Sequence, residues 1–331
     1  MRRTARLRTA LVRTAAATGA ALAVVAVALT AQGAQRQDPG PGDATATAPG
    51  ISGITVTRRA GGGFEALVVH DSKKPGEPRI SRYAHRPGEA PRAVPLDWRG
   101  AGEPIDLEAI DRVPGRPGEY IALASEGIGY RVRVTGNTGE AGGIGEAGDT
   151  GGTGVEVLDL FPLPAISEGD NFEGFALAPT AQAGVMVAVW ADRGQDDRPA
   201  TLYAARMVLN QYGEPRFGPV RTAEFRAPYP ARDVRHVSDL TITASGELLV
   251  SSASDPGDEG PFDSAVHAAG RVGLDDAGAV RLTLAEAPRT RATFEGHKVE
   301  ALACVPGTRR AAVGTDDEAN GGALLTAALC G

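Results

Sequence analysis

The sequence predicts an all-β fold, a β-propeller of five blades with six as the alternative count, and three observations predict it. Of 331 residues, 44 are glycine and 23 proline, a supply of turn formers suited to many short strands rather than long helices. A short motif, in which a small or acidic residue precedes Gly, Ala or Leu and then alternating apolar positions, recurs five times. It reads "ISGITV" from 51, "DLEAIDRV" from 106, "NFEGFALA" from 171, "VSDLTITA" from 237 and "KVEALACV" from 298. The anchors Ser52, Glu108, Glu173, Asp239 and Glu300 stand 56, 65, 66 and 61 residues apart. A second acid follows each anchor after 19, 18, 19, 16 and 16 residues, at Asp71, Glu126, Asp192, Asp255 and Asp316. Two landmarks keeping step through five copies indicate one supersecondary unit that cannot cover its own apolar faces and buries them against its neighbours.

Taken in order, the chain opens with Arg2, Arg3, Arg6, Arg8 and Arg13 ahead of the charge-free run 14–35. This is the pattern of a signal peptide over 1–33, with Ala31-Gln32-Gly33 as a small-x-small cleavage site. The alternative is an uncleaved membrane anchor. Either reading places the protein outside the cytoplasm, secreted or on the extracellular face of the cell membrane. Residues 34–50, "AQRQDPGPGDATATAPG", read as a disordered linker, and residues 51–331 as the propeller domain. Without the leader's five arginines the chain keeps 29 basic and 41 acidic side chains, a net charge of −12. So acidic a surface repels phosphate backbones and excludes a nucleic-acid partner. Cys304 and Cys330 are too few for a disulfide framework or a Cys-type zinc site; in an oxidising compartment they either pair and pin the C-terminal strand or stay free.

Within each copy the motif opens a first strand. The second acid closes another apolar run, "LVVHD", "IALASE", "MVAVWAD", "LLVSSASD" and "AAVGTD". Third runs follow, such as "RISRYA" and "TLYAARMVL", and fourth runs, such as "VEVLDLFPL" and "VRLTLAEA", follow in the first four copies. Four short antiparallel strands repeated about an axis make a propeller. The fifth copy ends at Gly331 with no room for a fourth strand, so closure is expected from elsewhere, with "ATATA" at 44–48 as the candidate. Residues 134–155 interrupt the second copy. They contain Gly143-x-Gly145-x-x-Gly148 but lack the βαβ context of a dinucleotide site, and read as a surface loop.

In an antiparallel pair the start of one strand and the end of the next share an edge, so both sets of acids belong on one rim. With the first strand innermost, Glu108, Glu173, Asp239 and Glu300 face the central channel. Like charges at short range raise one another's pKa unless offset. Calcium, which takes six to eight oxygen ligands in loose geometry, is the expected cofactor, held by Glu108, Glu173, Asp239 and Glu300. The competing reading is that these acids open turns and accept backbone N–H groups, and the second acids fit that reading better. His236 and His297 each stand three residues before an anchor and are the candidate catalytic bases. Lys298 and Asn171 each stand two before an anchor and are expected to line the same mouth. No GxSxG elbow and no catalytic-cysteine signature is present.

The "E-[AG]-[FIL]" opening, best seen in "DLEAI" at 106 and "NFEGFAL" at 171, resembles the exported propellers grouped as esterase-like phytases and SdiA-regulated-like proteins. The resemblance covers most of residues 51–331; "SGI" at 52 lacks the acid. It implies a calcium-associated propeller, some of whose relatives hydrolyse phosphoesters or esters, and carries over only the matching glutamates. The functional expectations are therefore a monomeric exported propeller binding a cation and a small-molecule or protein ligand, a calcium-dependent phosphoester, ester or lactone hydrolase, or a non-catalytic surface scaffold.

Overall fold

The apolar runs of the five copies form five antiparallel sheets, each built outward from its motif strand. This computed structural model describes residues 49–100, 102–136 and 153–331. The expected leader, most of the linker with its "ATATA" segment, and the loop residues 137–152 lie outside the described residues. Blade one runs β1 (Gly53–Ala60), β2 (Gly63–Val69), β3 (Ile80–His85) and β4 (Arg92–Pro95). The short β5 (Asp97–Arg99) then crosses to the outer edge of blade two, where it pairs in parallel with that blade's last strand. Blade two is β6 (Leu107–Arg112), β7 (Glu119–Ala124), β8 (Ile128–Thr135) and β9 (Gly154–Pro162). Blade three is β10 (Phe172–Pro179), β11 (Val185–Asp192) and β12 (Ala200–Leu209), whose outer edge pairs with both β13 (Pro215–Phe217) and β14 (Arg221–Phe225). Blade four is β15 (Val234–Ile242), β16 (Glu247–Ser254), β17 (Asp263–Leu274) and β18 (Val280–Glu295). Blade five has three strands, β19 (Val299–Cys304), β20 (Ala311–Thr315) and β21 (Leu324–Ala327). Five blades are realised and six are not.

The first strands are innermost: β1 packs beside β6, β6 beside β10, β10 beside β15, β15 beside β19, and β19 beside β1. The second strands are buried on both faces because each sheet is sandwiched between two others. Alternation of side chains along a strand then sends successive residues to different neighbours. In β11, Met186, Ala188 and Trp190 pack toward Ile121, Leu123 and Phe161 of blade two, while Val187, Val189 and Ala191 pack toward Leu240, Leu248 and Val250 of blade four. Equivalent cores join blades one and two and blades four and five.

Closure of the ring rests on a fifth core, in which Ile51, Ile54, Val56, Phe64 and Tyr83 meet Ala301, Ala303, Ala312 and Leu324. The Ile51 N–H donates to the Thr315 carbonyl at 3.0 Å. The two cysteines pair, Cys304 with Cys330, at an S–S distance of 2.02 Å, and so tie the end of β19 to the residues after β21. Among the described residues no helix is long and apolar enough to cross a membrane.

Candidate functional site

At the rim where the inner strands begin, three of the sheets carry the same irregularity. The register between the first and second strands slips between Leu107 and Ala109, between Phe172 and Gly174, and between Val299 and Ala301. The residue skipped is the motif glutamate. A β-bulge leaves one residue without a ladder partner and re-aims its side chain, which is how a charged residue fits into the innermost strand of each sheet. Glu108, Glu173 and Glu300 retain only 8%, 2% and 4% of their surface.

Their surroundings differ. Glu300 Oε1 lies 2.9 Å from Arg235 Nη1 and 3.1 Å from Lys298 Nζ. Glu173 Oε1 lies 3.5 Å from Arg193 Nη1 and 3.7 Å from Arg235 Nη1. Arg235 also makes a two-nitrogen contact with Asp255 Oδ2, from Nε at 2.8 Å and Nη2 at 2.7 Å, and Lys298 bridges to Glu318. Glu108 has no hydrogen bond or ion pair among the described residues. Burial, then the neighbouring Glu173 and Glu300, push its carboxyl well above the usual carboxylate range. Burial raises Glu173 as well, but there Arg235, Arg193 and Lys298 oppose the rise. The structure thus places Lys298, itself buried, beside Glu300. It adds Arg235 and Arg193, which the sequence reading did not single out; a basic residue opening a first strand, "VRHVSD", was the available signal.

Asp239 does not join this group. The slip in β15 extends from Arg235 to Asp239, so Asp239 lies beyond the irregularity. Deeper along the channel its Oδ1 accepts the Leu240 N–H at 2.7 Å and its Oδ2 the Leu302 N–H of blade five at 2.6 Å. Counted from His236, the first residue inside the slip, Asp255 is 19 residues on, matching the 19 from Glu173 to Asp192. Asp111, another residue the motif search passed over, does the same work elsewhere: it accepts from Thr55 Oγ1 of blade one at 3.0 Å and from the Leu177 N–H of blade three at 2.8 Å. Inner strands of neighbouring blades share no ladder, and these two aspartates staple them. For them the turn-type reading of an acid holds. Among the second acids, Asp192 also follows it, accepting the Asn171 and Gly194 N–H groups and pairing with Arg198.

The donor set expected for calcium is therefore divided: two members bind the chain's own cations, one binds amides, one is unpaired. Among the described residues no group of three or more His, Cys, Asp or Glu is arranged to hold a metal ion. The two histidines also part ways. His236 Nδ1 accepts the Ala227 N–H at 3.1 Å, and its Nε2–H donates to the Asp196 carbonyl at 2.8 Å, so the backbone takes both nitrogens, and burial lowers its pKa. His297 Nδ1 lies 2.8 Å from Asp317 Oδ2, and that hydrogen bond raises its pKa. Asp317 also accepts the Lys298 N–H at 2.7 Å and Thr315 Oγ1 at 3.1 Å, so the carboxylate that orients the ring is itself fixed.

The opposite end of the ring opens into a funnel of about 1150 Å³ walled by the inner hairpin turns, with Asp111, Leu177 and Cys304 among its lining. Two of its acids are already partnered: Asp111 accepts three hydrogen bonds, and the buried Glu119 pairs with Arg131 and Arg133. The funnel and the unusual electrostatics thus lie at different ends, and the candidate site is the rim, where, alone among the described residues, a buried acid lacks a partner.

No protein-family model matches the chain, and no curated protein matches it in sequence. Among solved structures, the α-L-arabinofuranosidase PaAbf62A from Podospora anserina, in complex with cellotriose, is 12% identical with a TM-score of 0.45, over 86% of this chain and 95% of that one. A GH43 endo-arabinanase from Bacillus licheniformis is 12% identical with a TM-score of 0.44, over 86% and 95%. An exo-1,5-α-L-arabinanase from a bovine ruminal metagenomic library is 13% identical with a TM-score of 0.46, over 86% and 93%.

Proposed function

We propose that this chain is an exported propeller that binds a small polar ligand at the rim where its inner strands begin, with Glu108 as the central contact. The observation that supports it is the largely buried Glu108 carboxyl, without hydrogen bond or ion pair among the described residues, beside Glu173 and Glu300, whose charges are matched. A carboxyl largely removed from water gains from a partner, and a ligand donor would supply one. The leader pattern and the Cys304–Cys330 bridge support export, since disulfides persist in oxidising compartments. A calcium ion at the expected ligands would have to displace Arg235 and Lys298 from Glu173 and Glu300.

A second reading is a hydrolase of the esterase-like phytase type, with His297 as general base; the Asp317–His297 pair favours it, because a carboxylate at Nδ1 fixes the ring and leaves Nε2 to take the proton. One panel tests both. Sugars, polyols, amines, carboxylates and phosphoesters are scored by thermal shift on wild type, Glu108→Gln and His297→Ala, with phosphoester, lactone and carboxylester turnover measured alongside. Binding predicts a compound class that raises the wild-type midpoint and leaves Glu108→Gln unmoved. Catalysis predicts turnover lost in His297→Ala by about 10²-fold or more. A panel in which no compound separates wild type from Glu108→Gln sinks the first reading.

A further inference from the structure

The rim is not uniformly acidic. On the side of blades three to five, Glu173, Asp255, Glu300 and Glu318 face Arg193, Arg235 and Lys298. On the side of blades one and two stand Asp71 after β2, Asp106 before β6 and Glu108 in its bulge, with Asp316 after β20 of blade five at the border between the two groups, near both Asp71 and Lys298, and the cation paired with Asp71 and Asp106 is Lys73. Its Nζ sits 3.0 Å from Asp106 Oδ1 and 3.7 Å from Asp71 Oδ2, on a side chain that is 62% exposed. Asp106 is well braced for the contact: its Oδ2 accepts Ser125 Oγ at 2.5 Å, and its backbone holds a φ of 63°. Glu108, nine-tenths buried, has neither hydrogen bond nor ion pair among the described residues and faces these same acids.

We infer that Asp71, Asp106, Glu108 and Asp316 form a site for the ammonium group of a small organic amine, with the Lys73 side chain occupying that place in the free protein. The inference rests on the rim being the binding site and names the chemistry of its ligand. An ammonium offers three donors and no acceptor, and separate carboxylates supply acceptors without the close convergence a metal requires. Lys73 is a replaceable stand-in, because an ion pair made by an exposed side chain contributes little. An incoming amine would keep the Asp106 contact and could add one to Glu108 that Lys73 does not make.

Calorimetric titration of the full chain with n-butylammonium, 1-butanol and butyrate tests this. Butylammonium should bind wild type, bind Lys73→Ala about tenfold more tightly, bind Lys74→Ala as wild type does, and bind Glu108→Gln about tenfold more weakly; butanol and butyrate should give no comparable heat. Lys73 and Lys74 are both exposed, so their variants decide the question even if Glu108→Gln folds poorly. Equal binding of butanol and butylammonium by Lys73→Ala overturns the ammonium assignment while leaving a binding rim. Calcium binding to Lys73→Ala with butylammonium silent assigns the acids to a metal and overturns it too. No binding of any probe to Lys73→Ala also overturns it; the rim reading then stands or falls on whether the wider panel finds a Glu108-dependent compound.

Discussion

Glu108 and Glu173 occupy the same position of the same motif and the same bulge, yet only one of them has a cation. The difference comes from blade four, where Arg235 reaches toward Glu173 on one side and Glu300 on the other and makes no ion pair with Glu108. A carboxyl raised above its ordinary value of 4.5 is protonated in both folded and unfolded states at low pH. As pH rises past 4.5 the unfolded chain ionises first, so stability falls through the window up to the raised folded value. Glu108→Gln removes that loss. Its thermal midpoint should exceed wild type at pH 8, with the gain shrinking to nothing near pH 4; a gain independent of pH would mean that Glu108 is not held protonated. The glutamates themselves were legible in the sequence as a spaced series. Which of them is paired was not, because the cation lies 65 residues from Glu300 along the chain.

At the scale of the strand, the glycines after the anchors Ser52 and Glu173 have a packing reason. A Cβ at Gly174 in β10 would stand 2.9 Å from Leu240 Cγ and 3.1 Å from its amide nitrogen in β15, and one at Gly53 in β1 would stand 2.7 Å from Ala109 Cα in β6. Inner strands converge on the axis, so their backbones approach closely, and glycine permits this where a side chain would not. Gly174→Val should cost about 1–3 kcal/mol in chemical denaturation, the usual range for overpacking a filled site. An unchanged midpoint would show that β10 and β15 can separate freely. The strand boundaries and their order followed from apolar periodicity, but the bulges did not, since a one-residue slip leaves the apolar pattern on either side nearly intact. In β15 that invisibility misplaced the anchor: Asp239 looked like the fourth acid of the rim and is instead a staple to Leu302.

For the molecule as a whole, the ring closes through packing between its first and last blades and through one covalent tie. The fifth blade has three strands where its neighbours have four or more, and the bridge spans 26 residues that include β20 and β21. Closing a loop of that length in the unfolded chain corresponds to about 3.5 kcal/mol in the chain-entropy account. The double variant Cys304→Ser, Cys330→Ser should lose stability of that order, and wild type in reductant should match it; equal stability of all three would leave closure to the apolar core alone. The sequence by itself determined the five-fold repeat, the strand order within each sheet and the rim on which the acids gather, because those properties are local: turn spacing, alternation of apolar residues and the antiparallel return of the chain. Only the tertiary structure decided that Arg235 and Lys298 answer two of the glutamates, that Asp239 and Asp111 bind amides, and that Glu108 and its acidic neighbours are left to Lys73. Those outcomes depend on rotation and register between blades, where groups distant in sequence are brought within a few ångströms and no spacing along the chain records which of them meet.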